Sequence, residues 1–194
     1  MGQIIVQEFV TLDGVMQAPG DPQEFEYGGW QLPFVGDEQL ELIVRQAEEA
    51  DALLLGRKTY ESFAAAWPTA RGMNGLADRM NAMPKYVASR TLDRVEWNAS
   101  LLSGELTEEV ARLKRRLNLL VVGSGELVRT LTRHRLVDEY RVWTFPIVLG
   151  RGHRLFDEGA EKMDLRLTDA KTLREGAAVL TYRPQRPDDS PVRA

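Results

Sequence analysis

Cysteine is absent from the 194 residues. That excludes disulfides, thiolate metal sites and a cysteine nucleophile. Histidine is scarce: only His134 and His153 occur. Both lie among arginines, and neither has histidine or carboxylate partners at metal-ligand spacing. No metal site is expected, and both are read as surface residues. No apolar run approaches the roughly 18 residues that mark a membrane helix. The N-terminal Met1–Phe9 lacks the basic start and long apolar stretch of a signal peptide. The expectation is a cytoplasmic protein without a membrane partner. An excess of basic charge is also missing: 25 Lys and Arg against 29 Asp and Glu leave a net charge of −4. A general nucleic-acid partner is thereby disfavoured. A local basic pocket for one phosphorylated ligand is not.

What remains has an ordinary globular balance, 43% hydrophobic and 28% charged. The length suits one domain, assigned to residues 1–183. Residues 184–194 hold three prolines and almost no apolar bulk, so they are expected to form a disordered tail.

Short apolar segments alternate with helical patterns. Gln3–Leu12, rich in β-branched residues, predicts a buried strand ending at Asp13-Gly14. A long loop rich in Pro, Gly and aromatics follows, containing Phe25, Tyr27, Trp30 and Phe34. Asp37–Ala50 predicts a helix capped by Asp37, with Leu40, Ile43, Val44 and Ala47 on one face. Ala52–Leu55 reads as a strand buried on both faces. Thr59–Trp67 reads as a helix stopped by Pro68, and 74–83 as another ended by Pro84. Lys85–Ser89 is a strand. Thr107–Leu117 is a helix capped by Thr107. Asn118–Val122 is a strand and Glu126–His134 a helix. Asp138–Leu149 predicts a long strand, with Pro146 marking a bulge or edge. Leu165–Leu173 and Ala177–Arg183 pair as a hairpin across Arg174-Glu175-Gly176. This order predicts an α/β fold with a mainly parallel sheet, covered on both faces, and an antiparallel hairpin at its end. Ligands of such sheets bind beyond the carboxyl ends of the strands.

Three such ends carry suggestive chemistry. Gly56-Arg57-Lys58-Thr59 turns from strand into helix, where free N–H groups, two cations and a hydroxyl suit a phosphate. The same residues also read as a strand turn with solvated cations and a capping threonine. Gly123-Ser124-Gly125-Glu126 has the same strand-to-helix logic. It lacks the third glycine of the full dinucleotide fingerprint, since Val128 stands there. Two such junctions on one sheet let one dinucleotide span both. Ser89-Arg90 ends a third strand. The cations Arg57, Lys58 and Arg90, with no competing carboxylate at that turn, favour NADP over NAD. Ser89-Arg90 also reads as the mere start of a turn. Ser124 lacks the flanks of a Gly-x-Ser-x-Gly elbow, so a hydrolase is not expected.

With these motifs in place, the chain resembles the dihydrofolate reductase-like superfamily, and most closely the stand-alone proteins similar to the C-terminal reductase domain of the riboflavin enzyme RibD. The matching segments are Phe-Val-Thr-Leu-Asp13-Gly14-Val15, Leu-Leu-Gly56-Arg57-Lys58-Thr59-Tyr60-Glu61, Lys-Tyr-Val-Ala-Ser89, Val-Val-Gly123-Ser124-Gly125 and Pro146-Ile-Val-Leu-Gly150-Arg-Gly152-His-Arg-Leu-Phe156. The resemblance implies a dihydrofolate reductase-like α/β/α sandwich that binds NADPH across its sheet, and a homodimer. Arg57, Lys58 and Thr59 would hold phosphates, with Gly56 at their turn. Ser89 and Arg90 would sit near the adenosine 2′-phosphate. Gly123, Ser124, Gly125 and Glu126 would line the pyrophosphate and nicotinamide side, and Gly14 and Val15 would lie close to the nicotinamide. The substrate implied is a small polar molecule: a pterin, or a ribosylaminopyrimidine as in 5-amino-6-(5-phosphoribosylamino)uracil reduction of riboflavin biosynthesis. Asp13 is the candidate to orient substrate or relay a proton, unless it only forms the Asp-Gly turn. Trp30 could stack on a flat substrate or pack the loop. Asp37, Glu38 and Glu41 are the acids that the first helix offers, with Asp37 and Glu41 the candidates to face a substrate. The alternative is a non-catalytic dimer that kept the nucleotide pocket without turnover.

Overall fold

The computed structural model describes residues 1–156 and 160–185. Its strands are β1 Ile4–Thr11, β2 Ala52–Gly56, β3 Lys85–Ala88, β4 Ala99–Leu101, β5 Leu119–Val122, β6 Glu139–Phe145, β7 Leu165–Thr172 and β8 Ala178–Pro184. Its α-helices are α1 Asp37–Glu48, α2 Arg57–Ala66, α3 Leu76–Ala82, α4 Leu106–Lys114 and α5 Gly125–Arg133. The strands form one sheet in the order β4-β3-β2-β5-β1-β6-β8-β7. The first six run parallel, and β8 and β7 add the antiparallel hairpin.

Side-chain alternation on the strands sorts the helices into two layers. Ile4, Val6, Val10, Leu54 and Val121 pack with Val110 and Leu113 of α4 and Leu127, Val128 and Leu131 of α5. Ile5, Leu53, Leu55, Val87 and Leu120 pack with Ala47 of α1, Tyr60 of α2 and Met80 of α3. Strand β2 is sealed on both sides, with Leu53, Leu54 and Leu55 all fully buried. A third cluster joins Trp143, Phe145 and Val179 to Trp30 of the long loop. The chain leaves β1 and β2 toward one edge of the sheet and leaves β5 toward the other. The reversal falls at β2, β5 and β1, the place where α/β sheets open a crevice for a ligand.

Several sequence expectations shift. The edge strand β4 was not anticipated: three residues are too few to show a period, and Trp97 and Asn98 before it have positive φ. Strand β6 stops at Phe145 instead of running to Leu149. Pro146 has no N–H for the ladder, and Ile147 N–H turns back to the Phe145 carbonyl at 2.8 Å. Gly36, not Asp37, occupies the cap position of α1. The α4 cap is Glu105, whose carboxylate accepts the Glu108 N–H at 3.0 Å, while Thr107 donates its hydroxyl to Glu105. The hairpin turn follows expectation, with Gly176 at φ +90°. Of the tail, Pro184 closes β8 and the Gln185 N–H reaches the Asp164 carbonyl at 2.9 Å; residues 186–194 lie outside the described residues.

One buried cation gives the fold a pH signature. Lys85 is 1% exposed. Its Nζ donates to the Asn81 carbonyl at 3.1 Å and sits 3.8 Å from the Trp97 ring centre. Burial lowers its pKa from 10.5 to about 8. Between those values the unfolded chain holds the proton that the native chain has lost, so stability gained from this site rises with pH. Melting temperatures of the wild type should therefore rise relative to Lys85→Met from pH 7 to pH 10. A constant difference across that range would contradict it.

Candidate active site

Sheet register lines up the turns named from the sequence. Gly56 pairs with Ala88 at the end of β3, so Gly56-Arg57 and Ser89-Arg90 leave neighbouring strands at one level. Leu53 pairs with Leu120, and Gln7 with Val122, which brings Gly123 to the same edge between β2 and β1. Asp13-Gly14-Val15 follows the longer β1. The four turns thus stand in the spatial order Ser89, Gly56, Gly123, Asp13 along the carboxyl edge.

The central two are tied to each other. The Ser124 N–H donates to Thr59 Oγ1 at 2.9 Å, and the Gly56 N–H donates to Ser124 Oγ at 2.9 Å. The Ser124 hydroxyl in turn donates to the Val122 carbonyl at 3.2 Å. Thr59 therefore does not cap its own helix; it holds the other turn. Gly123 and Ser124 lie at φ +59° and +63°, consecutive left-handed residues that turn the chain from β5 into α5. A side chain on Gly123 would be strained at that φ and would meet Thr59 Oγ1 at 3.0 Å. Gly125 begins α5, where a Cβ would meet Met16 Sδ at 3.2 Å. Met16, unremarked in the sequence, thus packs the β1 loop against the α5 turn. The N-termini of α2 and α5 meet here, each with the positive end of its helix dipole.

The polar side chains of the edge divide into free and committed ones. Arg57, Lys58 and Arg90 are exposed. Among the described residues, Arg57 pairs with Glu61 at 3.6 Å across an exposed turn of α2. Ser89 Oγ accepts the Thr91 and Leu92 N–H groups at 3.1 and 3.0 Å, and its hydroxyl proton is not used in either bond. Glu126 is held by Arg129 on the solvent side of α5. Arg57, Lys58 and Arg90 supply the positive charge that phosphates require, so the residues present fit a phosphorylated dinucleotide. Asp13 is committed. Oδ1 accepts the Thr11 hydroxyl at 2.6 Å and the Leu149 N–H at 3.2 Å; Oδ2 accepts the Gly150 N–H at 2.8 Å. The Thr11 bond, with the Gly150 and Leu149 amides, holds its carboxyl below the usual range. Arg154 Nε donates to the Asp13 carbonyl at 2.9 Å. Val15 is fully buried and bridges to Arg154.

The proposed substrate residues do not converge. Trp30 is 5% exposed, donates its indole N–H to the Gln17 carbonyl at 2.8 Å and packs edge-on to Phe145. Asp37 and Glu41 are exposed. The inward residue of the first turn of α1 is Gln39, at 1% exposure. Helical spacing from the apolar pair Leu42 and Ile43 could have revealed it.

Sequence reasoning also missed Glu8. It lies in the central strand, 3% exposed, with Oε1 lacking a partner among the described residues. Burial pushes its pKa well above the usual carboxylate value, opposed by a backbone hydrogen bond from Gly123. A carboxyl thus sits directly beneath the glycine turn. The signal in the sequence was a lone acid within a strand of mostly apolar, β-branched residues. A groove of about 410 Å³ lined by Tyr60, Ala64, Pro68, Arg94, Val95, Glu96 and Trp97 lies beside α2; none of the carboxyl-edge residues named above lines it.

With this geometry described, known proteins place the chain. The RibD C-terminal domain family matches residues 3–179, and the chain belongs to that family. It is 27% identical over 139 residues to the uncharacterized protein YyaP of Bacillus subtilis, covering 69% of this chain and 74% of that one. Among solved structures it is similar to a Shewanella sp. PV-4 protein provisionally assigned to riboflavin biosynthesis: TM-score 0.75, 23% identity, 95% of this chain and 99% of the other. The bifunctional diaminohydroxyphosphoribosylaminopyrimidine deaminase/5-amino-6-(5-phosphoribosylamino)uracil reductase of Thermotoga maritima matches with TM-score 0.63 and 12% identity, over 95% of this chain and 57% of that one. The fold is therefore the dihydrofolate reductase-like one that the sequence motifs implied.

Two outcomes test the site. In Thr59→Val the Ser124 N–H loses its acceptor, which should cost about 1 kcal/mol or more and lower the melting temperature by about 3 °C; an unchanged melt would show that the two turns are held otherwise. For Glu8 the raised native pKa means that stability from this group is complete below the ordinary value and is lost as pH rises toward the native one. Glu8→Gln should therefore gain stability over the wild type as pH increases from 4 to 8. A wild type that gains over the variant with pH would overturn the protonated assignment.

Proposed function

We propose that the protein is an NADPH-dependent reductase acting on a small polar substrate. The observation that carries this reading is the pair of glycine turns, bonded to each other at the carboxyl edge and flanked by three exposed cations. When bound, the cofactor supplies a hydride from its nicotinamide. The chain's own residues supply position and charge. Arg57 and Lys58, with the α2 N-terminus, hold phosphate oxygens. The Gly123–Ser124 turn, with the N-terminus of α5, takes the pyrophosphate. Ser89 and Arg90 take the 2′-phosphate. Gly14 and Val15 lie toward the nicotinamide end. Asp13 is a positioning residue: through Leu149, Gly150 and Arg154 it fixes the segment after β6 beside the β1 turn. Its depressed pKa makes it unsuited to donate a proton near neutral pH.

The substrate class of this reading is a pterin or a ribosylaminopyrimidine, with riboflavin biosynthesis the pathway the family suggests; a cytoplasmic homodimer completes it. The commitment of Asp13 to backbone amides, and the exposure of Asp37 and Glu41, favour one second reading, a dimeric nucleotide binder without turnover. Anaerobic mixing with NADPH and a panel of pterins, pyrimidines and ketones separates the two. Oxidation of NADPH with one of them supports the reductase; binding without oxidation across the panel supports the binder.

The cations give a quantitative expectation. A charge-assisted contact to the 2′-phosphate should make NADPH bind about tenfold to a hundredfold more tightly than NADH. In fluorescence titrations Arg90→Gln should narrow that gap and leave NADH affinity nearly unchanged. Equal affinities for the two cofactors in the wild type would remove the case for the cation cluster.

A further inference from the structure

One buried acid has no task in hydride transfer. Glu8 stands in β1, inside the sheet between β5 and β6, and is 3% exposed. Its carboxyl accepts a hydrogen bond from the Gly123 backbone, at the turn that leads into α5. Gly123 makes that turn at φ +59°, and the next residue, Ser124, is bonded to Thr59 and Gly56. The charge on Glu8 is therefore felt at the nucleotide turn through one amide. Among the described residues, no ion pair reaches this carboxyl. Val6 and Val10 share its face of β1, Val142 stands beside it on β6, and α5 adds Leu127 and Val128. The titratable groups of the elements packed on this face are otherwise engaged. Tyr140 is bonded to Thr132 at 2.8 Å, and burial holds its proton; Tyr182 of β8 stands beside it. Lys114 of α4 pairs with Asp138 at 2.6 Å, and Glu126 pairs with Arg129 on α5. Asp13, past the end of β1, is bonded to Thr11 and to the Leu149 and Gly150 amides.

A charge at this place would act in two ways. A carboxylate without a counter-ion in the interior costs far more than the neutral acid. It would also stand behind the turn that receives the pyrophosphate, and like charges oppose each other. The neutral carboxyl does neither, and its carbonyl oxygen still gives the Gly123 N–H an acceptor. Burial accordingly pushes the Glu8 pKa well above the usual carboxylate value. We infer that Glu8 is a positioning residue whose neutral carboxyl seats the Gly123 turn, so that the site binds its nucleotide together with a proton. This rests on the nucleotide site of the proposed function. The coupling is reciprocal: an anion at the turn favours the protonated acid, and the protonated acid favours the anion by the same factor. Between the free and the bound pKa, binding takes up a proton, and affinity falls as pH rises, by up to about tenfold per pH unit. No part of the nucleotide has to reach Glu8, which stays covered and acts through the Gly123 amide.

Calorimetry in buffers of different ionisation enthalpy counts the protons. NADH and NADPH are titrated between pH 7.5 and pH 9, where the 2′-phosphate of NADPH, with a pKa of about 6, no longer changes charge. The wild type should take up protons on binding either cofactor and lose affinity as pH rises. Glu8→Gln keeps a neutral acceptor for the Gly123 N–H and cannot ionise, so it should bind both cofactors with a nearly constant affinity and no linked proton. Histidines titrate near this range, and His153 accepts the Met16 N–H at its carbonyl at 2.8 Å, next to the α5 turn that Met16 packs. Lys85 titrates at about 8. His153→Gln and Lys85→Met are therefore the controls, and both should keep the uptake. No uptake or a release of protons in the wild type, uptake that survives in Glu8→Gln, or uptake lost in either control would overturn the inference. If Glu8→Gln does not fold, the wild-type count and the two controls decide it. Binding without linked protons would remove Glu8 alone and leave the nucleotide site standing. Failure of both cofactors to bind at any pH would overturn the nucleotide site, and the inference with it.

Discussion

The reciprocal bonds between Ser124, Thr59 and Gly56 are the constraint on which the site depends. They join two helix N-termini that come from strands far apart in sequence but adjacent in the sheet. Without them each turn would be a separate glycine bend with its own freedom. With them, the left-handed pair Gly123–Ser124 and the first turn of α2 form one joined surface, and the cations Arg57, Lys58 and Arg90 stand around it. The sheet makes this possible. Strand β5 inserts between β2 and β1, so the chain's change of direction and the two turns coincide.

Beneath that surface the interior is unusually polar for a central sheet. Glu8 reaches the underside of the Gly123 turn on one face of β1. On the other face, Gln7 and the α1 glutamines occupy the layer next to Trp143. Arg141 is the structural member of that layer. It bonds Glu139 within β6 at 2.7 Å and Glu49 at the end of α1, while Arg183 of β8 reaches Glu139 at 3.0 Å. The paired charges at the far end hold α1, β6 and β8 together. The unpaired amide of Gln39 stands at the end that faces the carboxyl edge.

Much of the fold was legible because its signals are local. The leucines of β2, the β-branched run of β1 and the cap-and-glycine punctuation each declare an element without reference to the rest of the chain. The motif turns were equally legible, since a strand-to-helix junction with glycine and cations needs only a few consecutive residues. What escaped the sequence is tertiary. Whether Thr59 caps α2 or holds Ser124 depends on β5 lying beside β2. Whether Trp30 meets a substrate or the core depends on Phe145. Asp37 and Glu41 lie on the outer face of α1, while its inward position carries the amide of Gln39. Strand β4 was too short to show a period, and Pro146 ended β6 where an apolar run continued.

The central claim is that the carboxyl edge, from Ser89 to Gly125, is the nucleotide site. Amide hydrogen exchange with and without NADPH tests it most directly. Protection should rise at 56–59, 89–92 and 123–126, with the Ser124 amide slowed along with its neighbours because the Thr59 bond is reinforced. Protection confined to other segments, such as 94–97 in the groove beside α2, or no change at any of the three turns while NADPH is bound, would contradict the account.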